Sequence, residues 1–125
     1  MAVTVGRSDA SPFTMKITVR LFTGDDDKSF GPGVAELLTR IDRCQSLRLA
    51  TEEMGMSYSK AWSKLAECEE ALGFPLLERM VGGRHGGSSR LTREGRKMLE
   101  RYRRLEQELA EAGRRAQGLH FSDFD

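Results

Sequence analysis

The feature that most constrains the fold is a pair of helical patterns joined by a tight turn, within residues 46–73. Ser46 precedes the first pattern, where a serine hydroxyl is a preferred helix N-cap. Gly55 ends this pattern, because glycine takes a positive φ at little steric cost. Ser57 caps the second pattern, which places four apolar side chains on one face: Ala61, Leu65, Cys68 and Leu72. A short helix, a tight turn and a longer helix in this order predict a helix-turn-helix unit.

A further helix is predicted before this unit, directly after the run Gly31-Pro32-Gly33. Its apolar residues recur at positions i, i+3, i+4 and i+7, which places them on a single face: Val34, Leu37, Leu38 and Ile41. The glycines do not form a phosphate-binding loop, because the Lys-Ser/Thr pair of that motif is absent. They mark the start of a helix.

Residues 76–92 have the pattern of a β-hairpin that follows the second helix of the unit. The run LLERMV predicts one strand, GGRHGGSS a flexible tip and SRLT a returning strand. Glycines around Arg84 and His85 allow a backbone to lie close to a nucleic-acid duplex, and Arg84 and Arg90 are placed to meet phosphates or to enter a minor groove. A plain surface loop is the alternative interpretation.

The N-terminal part of the chain has weaker patterns. Residues 1–14 show no sustained period and are interpreted as a flexible N-terminal arm. The run from Lys16 to Phe22 alternates apolar and polar residues, which predicts a strand. Three acids, Asp25 to Asp27, then predict a solvated turn rather than a cation site, because calcium loops place their ligands at alternate positions.

The last helix is predicted over residues 93–117, where apolar residues recur at alternating spacings of four and three. The heptad-like seam comprises Met98, Tyr102, Leu105, Leu109, Ala112 and Ala116. We expect two copies of the chain to pair through this seam as a homodimer, with packing of the helix onto its own domain as the alternative. The first five of these residues are the predicted dimerisation residues.

The predicted fold is therefore mainly α with a small β-hairpin: a winged helix-turn-helix with a long C-terminal dimerisation helix. The predicted domain plan has an N-terminal arm at 1–14, the winged helix-turn-helix at 15–92, the dimerisation helix at 93–117 and a tail at 118–125.

Charge and composition restrict the function. The net charge is only +1, but residues 57–104 hold 11 Lys/Arg against 6 Asp/Glu, so positive charge is concentrated in the middle. The sequence lacks a long apolar span and the layout of a signal peptide, which predicts a cytoplasmic protein. Its two histidines and its carboxylates form no catalytic pattern, so we do not expect an enzyme. Cys44 and Cys68 lie far from other metal-ligating residues and are interpreted as buried thiols, so neither a metal nor a cofactor is expected.

Double-stranded DNA is the predicted partner. Hydroxyls and amines at a helix N-terminus reach phosphate oxygens, and polar side chains just inside it reach base edges. Trp62 has a second interpretation, as a side chain that packs against the domain. The predicted DNA-binding residues are Ser57, Tyr58, Ser59, Lys60, Trp62, Ser63 and Lys64 on the helix and Arg79, Arg84, His85 and Arg90 on the hairpin.

A family resemblance covers the run from Gly31 to about Tyr102. It rests on GPGVAELLTRID, on GMSY followed by Ala61-Trp62, on FPLLER at residues 74–79, on the glycine-rich hairpin, and on Leu91-Thr92 before Gly95. In this combination and order the chain resembles the N-terminal DNA-binding domain of molybdate-responsive ModE-type regulators, which are related to the LysR-type winged helix.

The resemblance implies a strand, three helices, a wing and a dimerising long helix, with residues 57–64 in the recognition helix. Because no β-rich segment follows the long helix in this sequence, molybdate binding is not carried over. The expected function is a sequence-specific DNA-binding transcriptional regulator acting as a homodimer, and the alternative is a winged-helix module that binds proteins and not DNA.

Overall fold

The computed structural model of the 125-residue chain describes residues 3–5, 11–24, 29–80 and 88–123. The chain divides into two compact units, Arg20–Glu100 and a second one formed by Met1–Val19 and Arg101–Asp125. No helix within the described ranges has both the length and the apolar character needed to cross a membrane.

Four strands come first in the chain: β1 (Val3–Val5), β2 (Met15–Ile17), β3 (Leu21–Phe22) and β4 (Ser29–Phe30). Three helices follow: α1 (Pro32–Cys44), α2 (Leu47–Met54) and α3 (Tyr58–Leu72). The strands β5 (Leu77–Met80) and β6 (Ser88–Leu91) precede the long helix α4 (Arg93–Phe121). Antiparallel pairs join β1 to β2, β3 to β4 and β5 to β6. The prediction of a mainly α, winged helix-turn-helix fold is confirmed, and two further small strand pairs are added to it.

Helix α1 supplies the apolar face around which the Arg20–Glu100 unit packs. Pro32 lies in its first turn, where the missing N–H of proline costs nothing. All four residues predicted for its inner face are buried, and Leu38 and Ile41 are fully so. The helix ends at Gln45, which adopts the left-handed conformation with φ 55°. The Gln45 carbonyl accepts a hydrogen bond from the Ser89 N–H at 3.0 Å, which ties β6 to the end of α1.

The turn between α2 and α3 has the caps expected from the sequence. Ser46 Oγ accepts a hydrogen bond from the Leu49 N–H at the start of α2, and Ser57 Oγ accepts one from the Lys60 N–H at the start of α3, each at 3.1 Å. Gly55 ends α2 in the left-handed conformation with φ 66°, and the N–H of the next residue donates to the Thr51 carbonyl at 3.0 Å. These bonds satisfy backbone groups that the helix ends leave unpaired, so each of these ends is stabilised by residues close to it in sequence.

A short connection holds the hairpin against the end of α3. Leu76 is fully buried, and its N–H donates to Oε2 of Glu69 at 2.7 Å. Thr92 returns to the same place, because its N–H donates to the Leu76 carbonyl at 2.9 Å and its hydroxyl donates to the Pro75 carbonyl at 2.7 Å. The Thr92 hydroxyl also accepts from the Gly95 N–H at 2.8 Å and so caps α4. The base of the hairpin is thereby fixed relative to α3.

The second unit contains β1, β2 and the part of α4 from Arg101 onward. Tyr102 is 1% exposed, and its hydroxyl donates to the Val19 carbonyl at 2.8 Å. Gly113 lies against the side chains of Met15, Ile17 and Val5, so α4 packs on the β1–β2 pair at this position.

Three expectations need correction. The flexible arm predicted for 1–14 is wrong at Val3–Val5, which pair with Met15–Ile17 and bury Val5, because the partner strand lies too far along the chain for local periodicity to show it. The single strand predicted from Lys16 to Phe22 is split, since its two ends pair with different partners. Cys68 is buried as expected, but Cys44 is only half-buried, and its thiol donates to the Ser46 carbonyl. The turn predicted at Asp25–Asp27 lies outside the described residues.

Candidate nucleic-acid interface

The N-terminal half of α3 presents its polar face to solvent. Ala61 and Leu65 turn inward and are fully buried, so the residues between them point away from the core. This arrangement places every predicted contact of this helix at the surface: Ser57, Tyr58, Ser59, Lys60, Trp62, Ser63 and Lys64 are all exposed.

The charge along α3 is divided between its ends. Lys60 and Lys64 lie in the first two turns, where residues 57–66 include no acid. Glu67, Glu69 and Glu70 follow in the C-terminal half. Because the N-terminus of a helix also carries the positive end of the backbone dipole, the lysines and the dipole add to a positive potential at the same end.

Two aromatic side chains lie on the exposed face of α3. Tyr58 is 38% and Trp62 40% exposed, and their spacing of four residues places them side by side. The guanidinium of Arg48, from α2, lies over the Tyr58 ring with its carbon 5.0 Å from the ring centroid. The guanidinium of Arg79, from β5, lies over the Trp62 ring. Trp62 is therefore neither a core residue nor a bare surface ring, because one face is covered by an arginine.

The hairpin carries the other predicted arginines. Arg79 is exposed on β5 and stands opposite Ser89 of β6. Arg90 stands opposite Glu78, and its Nε donates to Oε2 of Glu78 at 2.9 Å, an exposed ion pair of the kind that contributes little to stability. Arg84 and His85, which the sequence places at the tip, lie outside the described residues.

Other arginines of the same unit are engaged with carboxylates. Arg96 donates two hydrogen bonds to Asp42, at 3.0 and 2.8 Å, and this hydrogen bonding raises the pKa of Arg96. Arg40 donates to Glu36 and Glu53, and Arg43 donates to Glu53. The hydrogen bond to Glu36 is the main cause that raises the pKa of Arg40.

Arg48 is the residue of this surface that sequence reasoning missed. It lies ten residues before Tyr58, on a different helix, so no periodic pattern connects the two. Only the turn at Gly55 brings them together. A helix-turn-helix prediction would have had to specify the crossing of its two helices to find the contact.

The predicted dimerisation residues fall into two groups. Tyr102 is buried inside its own chain, so the alternative of packing onto its own domain holds at this residue. Met98 and Leu105 are half-buried, and Leu109 and Ala112 are exposed. Glu106, Gly113 and Gln117 share the side of Tyr102, whereas Leu109, Ala112 and Ala116 form an adjacent stripe at 3.6 residues per turn. This stripe, which we call the α4 stripe, remains open at those three residues.

Within the described ranges, no three His, Cys, Asp or Glu side chains cluster in a way that could hold a metal ion.

Known proteins resemble this chain over the part that carries the helix-turn-helix and the hairpin. The family model described as bacterial regulatory helix-turn-helix protein, lysR family, matches residues 35–96, from within α1 to the first turn of α4. The transcriptional regulator ModE of Haemophilus influenzae is 36% identical over 75 residues, which are 60% of this chain and 29% of the relative.

Two further relatives align with the chain over a similar number of residues. The DNA-binding transcriptional dual regulator ModE of Escherichia coli K12 is 31% identical over 94 residues, or 75% of this chain and 33% of the relative. The molybdenum-pterin-binding protein MopB of Rhodobacter capsulatus is 34% identical over 70 residues, or 56% of this chain and 26% of the relative. The chain thus matches about three tenths of the length of these relatives. Its residues 35–96 belong to the LysR family of bacterial regulatory helix-turn-helix domains, and the chain is ModE-like in this part.

Proposed function

We propose that the chain is a transcriptional regulator that binds a specific double-stranded DNA sequence as a homodimer. The observation that carries this proposal is the exposed N-terminal half of α3, which combines lysines, hydroxyls and an unopposed helix N-terminus within a LysR-type helix-turn-helix domain. A helix with these groups at its start meets the requirements of a major-groove reader.

The roles within α3 follow from chemistry. Lys60 and Lys64 neutralise phosphates, since amines on long side chains act as mobile point charges. Ser59 and Ser63 have short hydroxyls that donate to or accept from base edges. Ser57 lies at the N-terminus, where its hydroxyl caps the helix and still has a proton to donate to a phosphate.

The hairpin acts as the wing. Its base is anchored on the C-terminal half of α3 through Leu76 and Thr92, and Arg79 reaches the lysine-bearing half, where its guanidinium lies over Trp62. Arg90 is exposed on the neighbouring strand. The tip residues Arg84 and His85 belong to the proposal on the basis of the sequence. The bacterial setting of the relatives favours action in the cytoplasm.

The α4 stripe supports the homodimer. Leu109 is 37% exposed and Leu119, further along the helix, is 77% exposed, and both lie on the side of α4 that carries Ala112 and Ala116, so together they form an apolar surface. A second copy of α4 would cover this stripe, and two-fold pairing is the commonest symmetry of small oligomers. Two linked domains then read two half-sites.

The test is a selection of random genomic duplex fragments by the purified chain, repeated over a series of salt concentrations. We expect enrichment of a two-fold-symmetric motif and an affinity that falls steeply with salt. Lys64→Ala should weaken binding to all sequences and reduce the salt slope by about 0.9. The matched control is Arg43→Ala, which removes an exposed cation that already has Glu53 as its partner.

Two outcomes would count against the proposal. If the chain retains no fragment at low salt, the surface is not a DNA-binding surface, and a protein-binding module is the better interpretation. If fragments are retained without any enriched motif, binding is non-specific and the regulator assignment fails.

A further inference from the structure

Six described arginines of the Arg20–Glu100 unit fall into two groups by the kind of partner they contact. Arg40, Arg43, Arg90 and Arg96 donate hydrogen bonds to carboxylates. Arg48 and Arg79 instead lie over the rings of Tyr58 and Trp62. Within the part of the chain that the structure describes, neither of these two guanidinium groups is hydrogen-bonded to an acid.

The difference decides which donors are available to a ligand. An arginine that is paired with a carboxylate has its charge neutralised and one edge of its guanidinium occupied. An arginine over a ring is held through its face, so its five N–H groups remain free in the plane of the guanidinium. The contact is also stabilising, because the ring quadrupole attracts the cation.

The two arginines that contact the aromatic rings lie on different elements, one before α3 in the chain and one after it. Arg48 belongs to α2, which precedes α3, and Arg79 belongs to β5, which follows it. Tyr58 and Trp62 lie one turn apart on the exposed face of α3. Two free guanidinium groups therefore accompany the helix face that also presents Lys60 and Lys64.

We propose that Arg48 and Arg79 each bind a backbone phosphate of the DNA, and that Tyr58 and Trp62 are positioning residues that hold the two guanidinium groups in place. The inference rests on the proposed DNA-binding function. It adds that the two arginines contact the DNA, whereas the two aromatic residues act only by holding the arginines. A guanidinium suits this ligand because its fork of donors matches two oxygens of one phosphate.

The Arg79–Trp62 contact is testable without DNA, because Trp62 is the single tryptophan of the chain. In Arg79→Ala, the indole loses its cover, and we expect quenching of its fluorescence by acrylamide to increase. Arg43→Ala, whose arginine bonds to Glu53, should leave quenching unchanged. Unchanged quenching in Arg79→Ala would show that the ring is not covered in solution and would overturn the positioning role of Trp62.

The phosphate contacts are tested by titrating a mixed-sequence duplex over a range of salt concentrations. Arg48→Ala and Arg79→Ala should each weaken binding about tenfold and each reduce the salt slope by about 0.9. Arg43→Ala should change neither quantity. Arg79→Lys retains the charge and loses the planar fork, so its salt slope should stay near the wild-type value while its affinity falls.

The positioning role is tested by coupling. Trp62→Leu should reproduce the loss seen in Arg79→Ala, and the double variant should bind no more weakly than Arg79→Ala alone. Trp62→Phe retains a ring and should recover most of the affinity. Tyr58→Phe and Tyr58→Leu make the same comparison for Arg48. Thermal unfolding of each variant confirms that the chain is folded before binding is compared.

The outcomes separate this inference from the proposed function. If the wild-type chain binds no duplex, the proposed function fails and the phosphate assignment fails with it, whereas the quenching result still decides the Trp62 contact. If the wild-type chain binds and both arginine variants retain its affinity and salt slope, this inference alone is wrong. Additive losses in the double variant would overturn the positioning role and leave the phosphate contacts in place.

Discussion

Two glycines in α4 have surroundings of different kinds. A Cβ on Gly95 would meet the backbone carbonyl oxygen of Leu76, and would approach the Leu76 carbonyl carbon and Cα at 3.1 Å. A Cβ on Gly113 would meet only side-chain ends, Met15 Cε at 2.5 Å and Ile17 Cδ1 at 3.0 Å. Backbone cannot move aside at Leu76 without breaking the hydrogen bond from the Thr92 N–H, whereas a methionine side chain has several rotatable bonds.

Gly95→Ala should therefore destabilise the chain by about 2 kcal/mol or more, even though alanine favours a helix by about 1 kcal/mol over glycine. Gly113→Ala is the matched variant, and its unfolding free energy should stay within about 1 kcal/mol of the wild type because the helix gain offsets the side-chain shift. Urea unfolding followed by circular dichroism measures both. Equal effects of the two substitutions would contradict the role assigned to the Leu76 backbone.

Cys68 links burial to pH dependence. Its side chain is 2% exposed, and this burial, with a smaller contribution from the charge of Glu69, raises the pKa of the thiol from 9.0 to about 11. Since the folded state holds the proton more tightly than the unfolded state, the stability associated with the neutral thiol is complete below about pH 9. It is lost as the pH rises from about 9 to about 11.

Cys68→Ala removes this titration. Near neutral pH the variant should be less stable than the wild type by about 1 kcal/mol, because a small cavity replaces the sulfur. Above about pH 9 the difference should shrink or reverse, by up to about 1.4 kcal/mol per pH unit, since only the wild type loses stability from this thiol. Urea unfolding at about pH 8 and about pH 10.5 tests the expectation. An equal difference in unfolding free energy between the wild type and Cys68→Ala at the two pH values would show that the thiol does not contribute to the pH dependence of stability.

At the scale of elements, the start of α3 combines a structural and a proposed binding role in Ser57. Its Oγ accepts the hydrogen bond from the Lys60 N–H that caps the helix, and the residue is exposed where a phosphate is expected. An aspartate at this position also caps a helix well but carries a negative charge. The two roles are therefore separable by substitution.

Ser57→Ala should lower the stability by about 1 kcal/mol because the cap is lost. Ser57→Asp should unfold near the wild-type temperature, since the cap remains and the charge suits the helix N-terminus. DNA binding should show the reverse order: the aspartate variant loses affinity at all salt concentrations by repulsion of phosphate, and the alanine variant loses less. Thermal unfolding and duplex titration give the two rankings, and an aspartate variant that binds as well as the wild type would remove Ser57 from the interface.

The elements that were predictable from sequence are those specified by neighbouring residues. The four buried residues of α1 and the caps at Ser46, Gly55 and Ser57 depend on interactions within a few positions. The pairing of Val3–Val5 with Met15–Ile17 depends on a contact across a loop and was missed. The covered ring of Trp62 lies between these cases, because its sequence position allowed both an exposed and a packed side chain, and its partner on β5 lies outside any local pattern.

For the whole molecule, the positive charge and the open apolar stripe occupy different elements. The exposed lysines and the aromatic-bound arginines belong to α2, α3 and β5, whereas Leu109, Ala112 and Ala116 belong to the C-terminal part of α4. Pairing through α4 would thus use none of the residues assigned to the proposed DNA surface. Two domains linked in this way gain affinity because the second contact becomes intramolecular.

If the chain is the proposed homodimer, a charge on the α4 stripe should separate the copies. Leu109→Glu should sediment at half the mass of the wild type and bind a two-fold-symmetric site about tenfold to a hundredfold more weakly. Gln107→Glu is the matched control, since it adds the same charge on the opposite side of the helix, where it should leave the mass unchanged. Leu119→Glu, at a side chain 77% exposed, gives a second variant that disturbs no packing within the chain. A wild-type chain that sediments as a monomer at concentrations where it binds DNA would exclude the homodimer, and its sites would then lack two-fold symmetry because a single domain reads a single half-site.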